Sequence, residues 1–156
     1  MTKKTILTIA ESEGQKLLIA GGNYRIVVSG KQTDGKFAVI EMSVPPGAGP
    51  NPHAHPEFTE SFYVLEGEIT FKSELGNYIA KKGSYINIPE GGMIHGFKNL
   101  TNDSAKLLCT VIPAGLDDFF QEMTDYFEAN PTPEIDKIKS ISEKYGQTLY
   151  PENYLG

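Results

Sequence analysis

Between Thr5 and Pro113 the chain alternates short apolar runs with turn-forming residues and shows little helical periodicity. Runs of this length, bounded by glycine, proline, asparagine and aspartate, are typical of β-strands in a sandwich or barrel. The predicted strands are Thr5–Ala10, Lys16–Ala20, Tyr24–Ser29, Phe37–Val44, Ser61–Leu65, Glu68–Ser73, Tyr78–Lys81, Ser84–Ile88, Gly96–Asn99 and Lys106–Ile112. The pattern therefore predicts an all-β domain in this part of the chain.

Beyond these strands the pattern becomes helical. Apolar side chains recur every three or four residues between Leu116 and Glu128, which predicts an amphipathic helix. Its apolar positions are Leu116, Phe119, Phe120, Met123 and Phe127. A second helix is predicted to begin with Thr132 as N-cap and Pro133 in the first helical position. We expect both helices to pack on the barrel, the first over its outer sheet surface, in a single domain of residues 1–156.

Charge, hydrophobicity and cysteine content limit the expected partners and the expected location of the protein. The 156 residues include 14 basic and 20 acidic side chains, a net charge of −6 at pH 7. Basic runs do not exceed the pairs Lys3-Lys4 and Lys81-Lys82, so neither nucleic acid nor a membrane is an expected partner. We recognise no signal peptide and no segment near the ~20 apolar residues of a transmembrane helix. The single cysteine, Cys109, is expected to be a buried, inert thiol in a cytoplasmic protein.

The spacing of the few histidines suits the binding of one ion. The chain has three, and two of them form His53-Ala54-His55, a spacing that puts both rings on one face of an extended segment. Two ring nitrogens can therefore converge on one ion. The third, His95, follows a rigid turn that begins at Pro89.

Glu60 is the predicted carboxylate partner of these histidines. It shares a strand face with Phe62 and Val64, so its carboxylate should point into the core. A buried carboxylate is tolerated chiefly when it is paired, neutralised or coordinated to a cation. Glu57 is the alternative carboxylate, but it does not directly precede the apolar strand. The predicted ligands of one divalent transition metal are His53, His55, Glu60 and His95.

The metal itself is not identified by these residues. Imidazole and carboxylate ligands suit Ni, Mn, Fe, Co, Cu or Zn. Affinity alone favours Cu and Zn over Mn and Fe, and this order does not decide which ion a protein holds.

Two motifs resemble those of the cupin superfamily. The first is Gly47-x5-His53-x-His55-x4-Glu60-x6-Gly67, and the second is Gly83-x5-Pro89 followed by His95-x3-Asn99. The resemblance implies a cupin fold, which is a double-stranded β-helix or jelly-roll barrel with one metal ion. The stretch from Pro89 to His95 is one residue longer than the usual Pro-x-Gly-x2-His, so the loop that bears His95 is expected to sit slightly differently.

The resemblance extends to the bacterial quercetinase-like group of small cupins, over about Gly21 to Gly146. It is carried by the segments 47–53, 62–68 and 113–120. It implies a dioxygenase that acts with O2 on a small aromatic enol or flavonol-like substrate, with Glu60 as both metal ligand and catalytic proton acceptor. The alternatives are a non-catalytic cupin that binds a metal and a small ligand, and an isomerase or cyclase with the same metal site. Cupins of this length often pair through their sheets, so a homodimer is expected.

Four apolar residues near the predicted ligands are candidates for a substrate pocket. They are Phe62, Ile86, Met93 and Phe97. The alternative for each is ordinary core packing, because an apolar strand residue more often fills the core than lines a site. The pair Phe119-Phe120 is interpreted as packing, with a lid over the pocket as the alternative.

Overall fold

The computed structural model describes residues 5–156, so the basic pair Lys3-Lys4 lies outside the described residues. The described chain forms eleven strands, one short 3-10 helix and two α-helices. The strands are β1 Gln15–Ile19, β2 Gly22–Val28, β3 Ala38–Val44, β4 His53–Ala54, β5 Thr59–Glu66, β6 Glu68–Ser73, β7 Gly76–Lys81, β8 Tyr85–Ile88, β9 His95–Lys98, β10 Ala105–Ile112 and β11 Thr148–Leu149. The helices are the 3-10 turn Gly30–Thr33, α1 Leu116–Ala129 and α2 Ile135–Lys144.

The strands form two antiparallel sheets that enclose the core. The six-stranded sheet has the order β1-β2-β3-β10-β5-β8, and the five-stranded sheet has the order β11-β4-β9-β6-β7. From β3 onwards, successive strands alternate between the two sheets except at the β6–β7 hairpin, as expected for a jelly roll. The two sheets are not joined into a closed barrel in the described chain. The predicted fold class, a jelly roll with two C-terminal helices packed on it, is confirmed.

The core follows the period-2 pattern of the central strands. Alternate residues of β3, among them Ile40, Met42 and Val44, are buried, and the same alternation runs through β10. These side chains face residues of the second sheet such as Ile69 and Phe71. The regular alternation fixes the register, because a slip by one residue would expose the whole apolar set.

One predicted strand is absent and two strands were not predicted. Thr5–Ala10 forms no strand, and the side chain of Ile6 is almost fully exposed. The apolar run led to a wrong prediction, because these residues form no ladder with a neighbouring strand. The strands β4 and β11 have only two residues each, too few for any periodicity to be detected.

The second helix begins later than predicted. Its N-cap is Glu134 rather than Thr132, so Pro133 precedes the helix instead of occupying its first turn. The backbone of Glu134 is extended, and its N–H donates a hydrogen bond to the hydroxyl of Tyr126 at 2.9 Å. This contact with α1 fixes the start of α2.

Among the described residues, no helix has the length and apolar character of a membrane span.

The sequence led us to expect that the first helix covers the outer sheet surface. The structure places it elsewhere. Its buried residues Leu116, Phe119 and Met123 border the same internal cavity as Tyr24 and Met42, whose side chains are buried in the core. An apolar stripe packs on whichever apolar surface is left uncovered. In this fold that surface is the open end between the sheets, so α1 forms a roof over it.

Asp117 anchors this roof to the barrel. Its carboxylate is buried and accepts hydrogen bonds from the backbone N–H groups of Gly30 at 2.8 Å and Gly115 at 3.1 Å. Gly30 lies close enough to Ala114 that a Cβ at this position would clash. The start of α1 is therefore tied to the loop between β2 and β3.

We predict that Asp117→Ala lowers the free energy of unfolding by about 1–3 kcal/mol, because the buried N–H of Gly30 and the half-buried N–H of Gly115 lose their acceptor. Urea unfolding followed by circular dichroism measures this loss. The matched control is Asp118→Ala, at the exposed neighbouring position, which should change stability by less than about 0.5 kcal/mol. Equal losses in the two variants would show that Asp117 is not the anchor.

Candidate metal centre

The four predicted ligands come from both sheets and meet between them. His53 lies on β4 and pairs directly across the ladder with His95 on β9, while His55 follows β4 by one residue. Glu60 lies on β5 of the other sheet, on the face that carries Phe62 into the core. The period-2 alternation of β5 therefore turns the carboxylate toward the histidines.

The ligand atoms of these residues form one compact cluster. One ligand atom from each of His53, His55, Glu60 and His95 lies within 4.8 Å of all the others. The His55 Nε2 atom is 3.0 Å from His95 Nε2 and 3.1 Å from Glu60 Oε1. The exposed fraction is 3% for Glu60 and 1% each for His55 and His95, so these three side chains are shielded from solvent, while His53 is half-buried.

Backbone carbonyls fix the orientation of two of the rings. The Nδ1–H group of His53 donates to the carbonyl of Asn51 at 2.8 Å, and that of His95 donates to the carbonyl of Met93 at 2.9 Å. With the proton on Nδ1, each Nε2 atom presents a lone pair to the centre. His55 is held differently, because its ring stacks on Phe58 with centroids 4.1 Å apart.

The protonation states are those of metal ligands. Burial, with the nearby His95 ring, lowers the pKa of His53 from 6.5 to about 4. Burial alone would raise the pKa of Glu60, but the hydrogen bond with His55 and the nearby His95 ring outweigh it and hold that pKa below its usual range. A neutral His53 imidazole and an anionic carboxylate thus coexist at neutral pH, as divalent transition metals require.

This donor set fits a divalent transition metal. Inward-facing imidazole lone pairs and a buried carboxylate concentrate negative potential in a space that water does not screen, and a cation relieves it. The four buried residues could hold one metal ion, and three nitrogens with one oxygen suit several first-row metals equally.

Cys109 contacts the same carboxylate from the neighbouring strand. Its Sγ–H donates to Glu60 Oε2 at 3.3 Å, while Glu60 Oε1 faces the histidines. Burial, together with the Glu60 charge, raises the pKa of the thiol well above its usual value, so it stays a protonated donor. The sequence predicts the buried thiol, but not this contact, which depends on the pairing of β10 with β5.

The structure also answers two questions that the sequence left open: which glutamate joins the cluster, and whether the longer loop lets His95 reach it. Glu57 is exposed and lies outside the cluster, whereas Glu60 lies within it. His95 joins the cluster although its loop has one additional residue. Gly91 and Gly92 both adopt positive φ angles, 119° and 81°, which lets the longer loop turn back to the site.

A cavity of about 290 Å³ adjoins the centre. Three ligand residues, His53, Glu60 and His95, border it, and the rest of its wall is mainly apolar. Of the predicted pocket residues, Phe62 and Phe97 border this cavity, whereas Ile86 and Met93 are not among its bordering residues in the described chain. A pocket role for any of the four stays a prediction.

Much of the cavity wall was not predicted from the sequence. Tyr24 and Met42 come from the six-stranded sheet, and many of the remaining residues come from the C-terminal segment. Those C-terminal residues include Leu116, Phe119, Phe120, Met123, Phe127, Ile138, Ser142, Gln147 and Leu149. The amphipathic pattern of α1 was visible in the sequence, but not the surface against which it packs. Phe119 lies in the buried core and Phe120 packs against it, which agrees with the packing interpretation of this pair, and a lid role stays a prediction.

A comparison with known protein families finds a match for the segment that carries this site. A family profile described as a cupin domain matches residues 40–111, a segment that contains all four cluster residues. The matched segment is 72 of the 156 residues, a little under half of the chain. Its motifs at His53 to Glu60 and at His95 are therefore cupin motifs in position as well as in spacing.

One curated relative of this chain is a dioxygenase. The chain is 29% identical over 125 residues to quercetin 2,3-dioxygenase of Bacillus subtilis, covering 80% of this chain and 36% of that protein. The chain spans about a third of the length of the curated relatives it matches.

Solved structures with the same fold are more distant in sequence. A sugar phosphate isomerase of Silicibacter pomeroyi superposes with a TM-score of 0.61 at 21% identity, over 70% of this chain and 77% of that one. The polyketide cyclase RemF of Streptomyces resistomycificus superposes with a TM-score of 0.60 at 21% identity, over 69% and 80%. These two similarities establish the fold alone.

We predict about one metal ion per chain, which His53→Ala or His55→Ala removes and His95→Ala at least weakens, because each change deletes one of few nitrogen ligands. Elemental analysis of untagged protein measures the content. The matched control is Glu57→Ala, which alters an exposed carboxylate outside the cluster. Unchanged metal content in the His53 and His55 variants would rule out this site.

We also predict that the metal-free protein loses stability as the pH falls from 6.5 toward about 4. The pKa of His53 is lowered on folding from its ordinary value of 6.5 to about 4, so the unfolded chain binds more protons in this window. The contribution of His53 to stability is complete above pH 6.5 and should drop by about 1–3 kcal/mol across the window. Urea unfolding at several pH values measures the drop, which His53→Gln should flatten. An equal slope in that variant would contradict the assignment.

Proposed function

We propose that this cupin is a metal-dependent dioxygenase acting on a small aromatic enol or flavonol-like compound. The observation that carries the proposal is the apolar cavity that meets the metal centre at His53, Glu60 and His95. A ligand in that cavity would touch the site directly. The sequence similarity to a quercetin 2,3-dioxygenase supports the same reaction class.

The cavity wall favours an uncharged aromatic ligand. Phe62, Phe97, Phe119 and Phe120 present aromatic surface, and no lysine or arginine borders the cavity among the described residues. A phosphorylated sugar would require such cationic donors, so the wall disfavours sugar phosphate chemistry. Its volume of about 290 Å³ lies at the lower end of the range for small-molecule pockets, which favours a compact ligand.

The metal ligands would be His53, His55, Glu60 and His95. When bound, a divalent transition metal supplies Lewis acidity that makes a substrate hydroxyl more acidic. The Nδ1–H hydrogen bonds of His53 and His95 keep their rings in a fixed orientation, so that the site is formed before substrate arrives.

Glu60 would take the proton of the substrate hydroxyl. It is the only carboxylate that borders the cavity within residues 5–156, and its lowered pKa keeps it ionised. A carboxylate oxygen within reach of an enol is the group that can accept this proton. The hydrogen bond from Cys109 to Oε2 limits the rotation of the carboxylate.

The cavity also protects the deprotonated substrate. The roof formed by Phe119, Phe120 and Met123 covers one side of the cavity beside the centre. Exclusion of water lowers the chance of reprotonation and strengthens each electrostatic contact inside. Tyr24 also borders this space, and burial raises the pKa of its phenol, so it remains a neutral hydrogen-bond donor.

The experiment that tests the function is O2 uptake by metal-loaded protein with enolic and flavonol compounds, together with product analysis. Uptake coupled to substrate cleavage supports the proposal. Tight binding of a compound without uptake would instead indicate a cupin that binds a metal and a ligand without turnover. Rearrangement of the compound without uptake would indicate isomerase or cyclase chemistry.

We predict that Glu60→Gln retains part of the metal but lowers turnover by about 10²–10⁴-fold, because the neutral amide can donate an oxygen ligand but cannot take a proton. Oxygen-electrode rates, normalised to metal content, measure the effect. Glu57→Gln is the matched control and should retain the full rate. Full turnover in the Glu60 variant would place the proton acceptor elsewhere.

A further inference from the structure

Within residues 5–156, the Nδ1 atom of His55 is buried and has no hydrogen-bond partner. The other ring nitrogen, Nε2, faces the cluster, 3.1 Å from Glu60 Oε1 and 3.0 Å from His95 Nε2. A neutral ring that offers Nε2 to a metal carries its proton on Nδ1. His55 would therefore bind a metal with a buried N–H donor left unpaired, which is unfavourable.

A second buried group without a partner lies on the neighbouring strand. Gln147 is 5% exposed, and its Nε2 atom also has no hydrogen-bond partner in the described chain. The strands β11 and β4 pair antiparallel, with Leu149 opposite His53. The same register puts Gln147, two residues before Leu149, opposite His55. Side chains that oppose each other in an antiparallel pair lie on the same face of the sheet.

Backbone hydrogen bonds show that this pair is one of close approach. The Tyr150 N–H donates to the carbonyl of Pro52 at 2.9 Å, which makes these two residues a hydrogen-bonded pair. Such pairs alternate along an antiparallel ladder with non-hydrogen-bonded pairs, in which opposing side chains are closest. The count from Tyr150 makes Gln147 and His55 a pair of the second kind. In agreement, the Gln147 N–H donates to the carbonyl of Ser142 and not across the ladder.

The chemistry of the two groups is complementary. A His55 ring with its proton on Nδ1 needs an acceptor, and the amide oxygen of Gln147 is one. A half-turn of the amide exchanges its nitrogen and oxygen with almost no change in shape, so the oxygen can take the buried place of Nε2. Phe58 stacks on the face of the His55 ring, with centroids 4.1 Å apart, and supplies no acceptor.

We propose that Gln147 is a positioning residue of the metal centre, whose amide oxygen accepts a hydrogen bond from the His55 Nδ1–H and holds that ring in the tautomer that binds a metal through Nε2. Gln147 then does for His55 what the carbonyls of Asn51 and Met93 do for the other two rings. An acceptor of this kind fixes the ring and makes the ligating nitrogen more basic. This role depends on the metal centre and not on which reaction it catalyses.

The test measures the Zn²⁺ affinity of the full chain by competition with a chelator, with no substrate present. Gln147→Leu removes the acceptor at similar size, whereas Gln147→Glu keeps an acceptor oxygen. Thr148→Ala is the matched control, because it changes the next residue of the chain, whose side chain is exposed.

Gln147→Leu should weaken Zn²⁺ binding by about 10–100-fold, the usual effect of removing the partner of a ligating histidine. Thr148→Ala should bind Zn²⁺ as the wild type does, and Gln147→Glu should bind it at least as tightly. Equal affinities of Gln147→Leu and Thr148→Ala would overturn the inference, and so would a loss in Gln147→Leu that Gln147→Glu does not restore.

Nitrogen-15 NMR of the Zn²⁺-loaded protein gives a readout that a merely structural role would not change. The chain has three histidines, so each ring can be followed separately. In the wild type we expect the His55 proton on Nδ1, with a nuclear Overhauser contact to the Gln147 side chain. In Gln147→Leu the signal of this proton should move upfield, while the Nδ1–H signals of His53 and His95 stay in place. Similar shifts of all three signals would overturn the inference.

The wild-type spectrum keeps the inference testable even if Gln147→Leu does not fold. An Overhauser contact between the His55 Nδ1 proton and the Gln147 side chain supports the proposed role. A His55 proton on Nε2, or a proton on Nδ1 without this contact, would overturn it. If the wild-type protein bound no Zn²⁺, the metal centre itself would be overturned, and the role of Gln147 with it.

Discussion

The confinement of one carboxylate among three imidazole rings is the constraint on which the rest of this structure depends. Glu60 is almost fully buried, and its Oε1 atom lies 3.1 Å from His55 Nε2 and 3.5 Å from His95 Nε2. Burial alone disfavours such a carboxylate, and its contacts with His55 and His95 offset this cost. The surrounding fold keeps the cost acceptable by fixing the rings through the carbonyls of Asn51 and Met93.

The two sheets and the C-terminal segment together position this site. The strands β4 and β9 bring His53 opposite His95, and β11 adds to the free edge of β4. The Tyr150 N–H extends this contact by donating to the carbonyl of Pro52 at 2.9 Å. At its other end the C-terminal segment is anchored by Asp117. Backbone hydrogen bonds therefore link the C-terminal segment, which forms the roof of the cavity, to the strand that carries His53. The two are distant in sequence.

Local patterns in the sequence predicted what is local in the structure. Short apolar runs bounded by turn-forming residues predicted nine of the strands. The spacing from His53 to Glu60 predicted three of the four cluster residues, because side chains on one strand face are fixed by backbone geometry. Features that depend on which elements meet could not be predicted in this way. The hydrogen bond from Cys109 to Glu60 requires the pairing of β10 with β5, and the destination of α1 requires knowing which apolar surface is left open.

The metal cluster and the roof of the cavity come from different parts of the chain. All four cluster residues lie within residues 40–111, the segment that matches the cupin profile, whereas α1, α2 and β11 lie beyond it. The common part of the fold therefore supplies the metal chemistry. The C-terminal segment supplies the roof, with Phe119, Phe120 and Gln147 bordering the cavity. Because one metal centre can serve many reactions, the proposed enzyme would select its substrate through such a wall. In this chain the roof, rather than the metal ligands, is where that choice would be made.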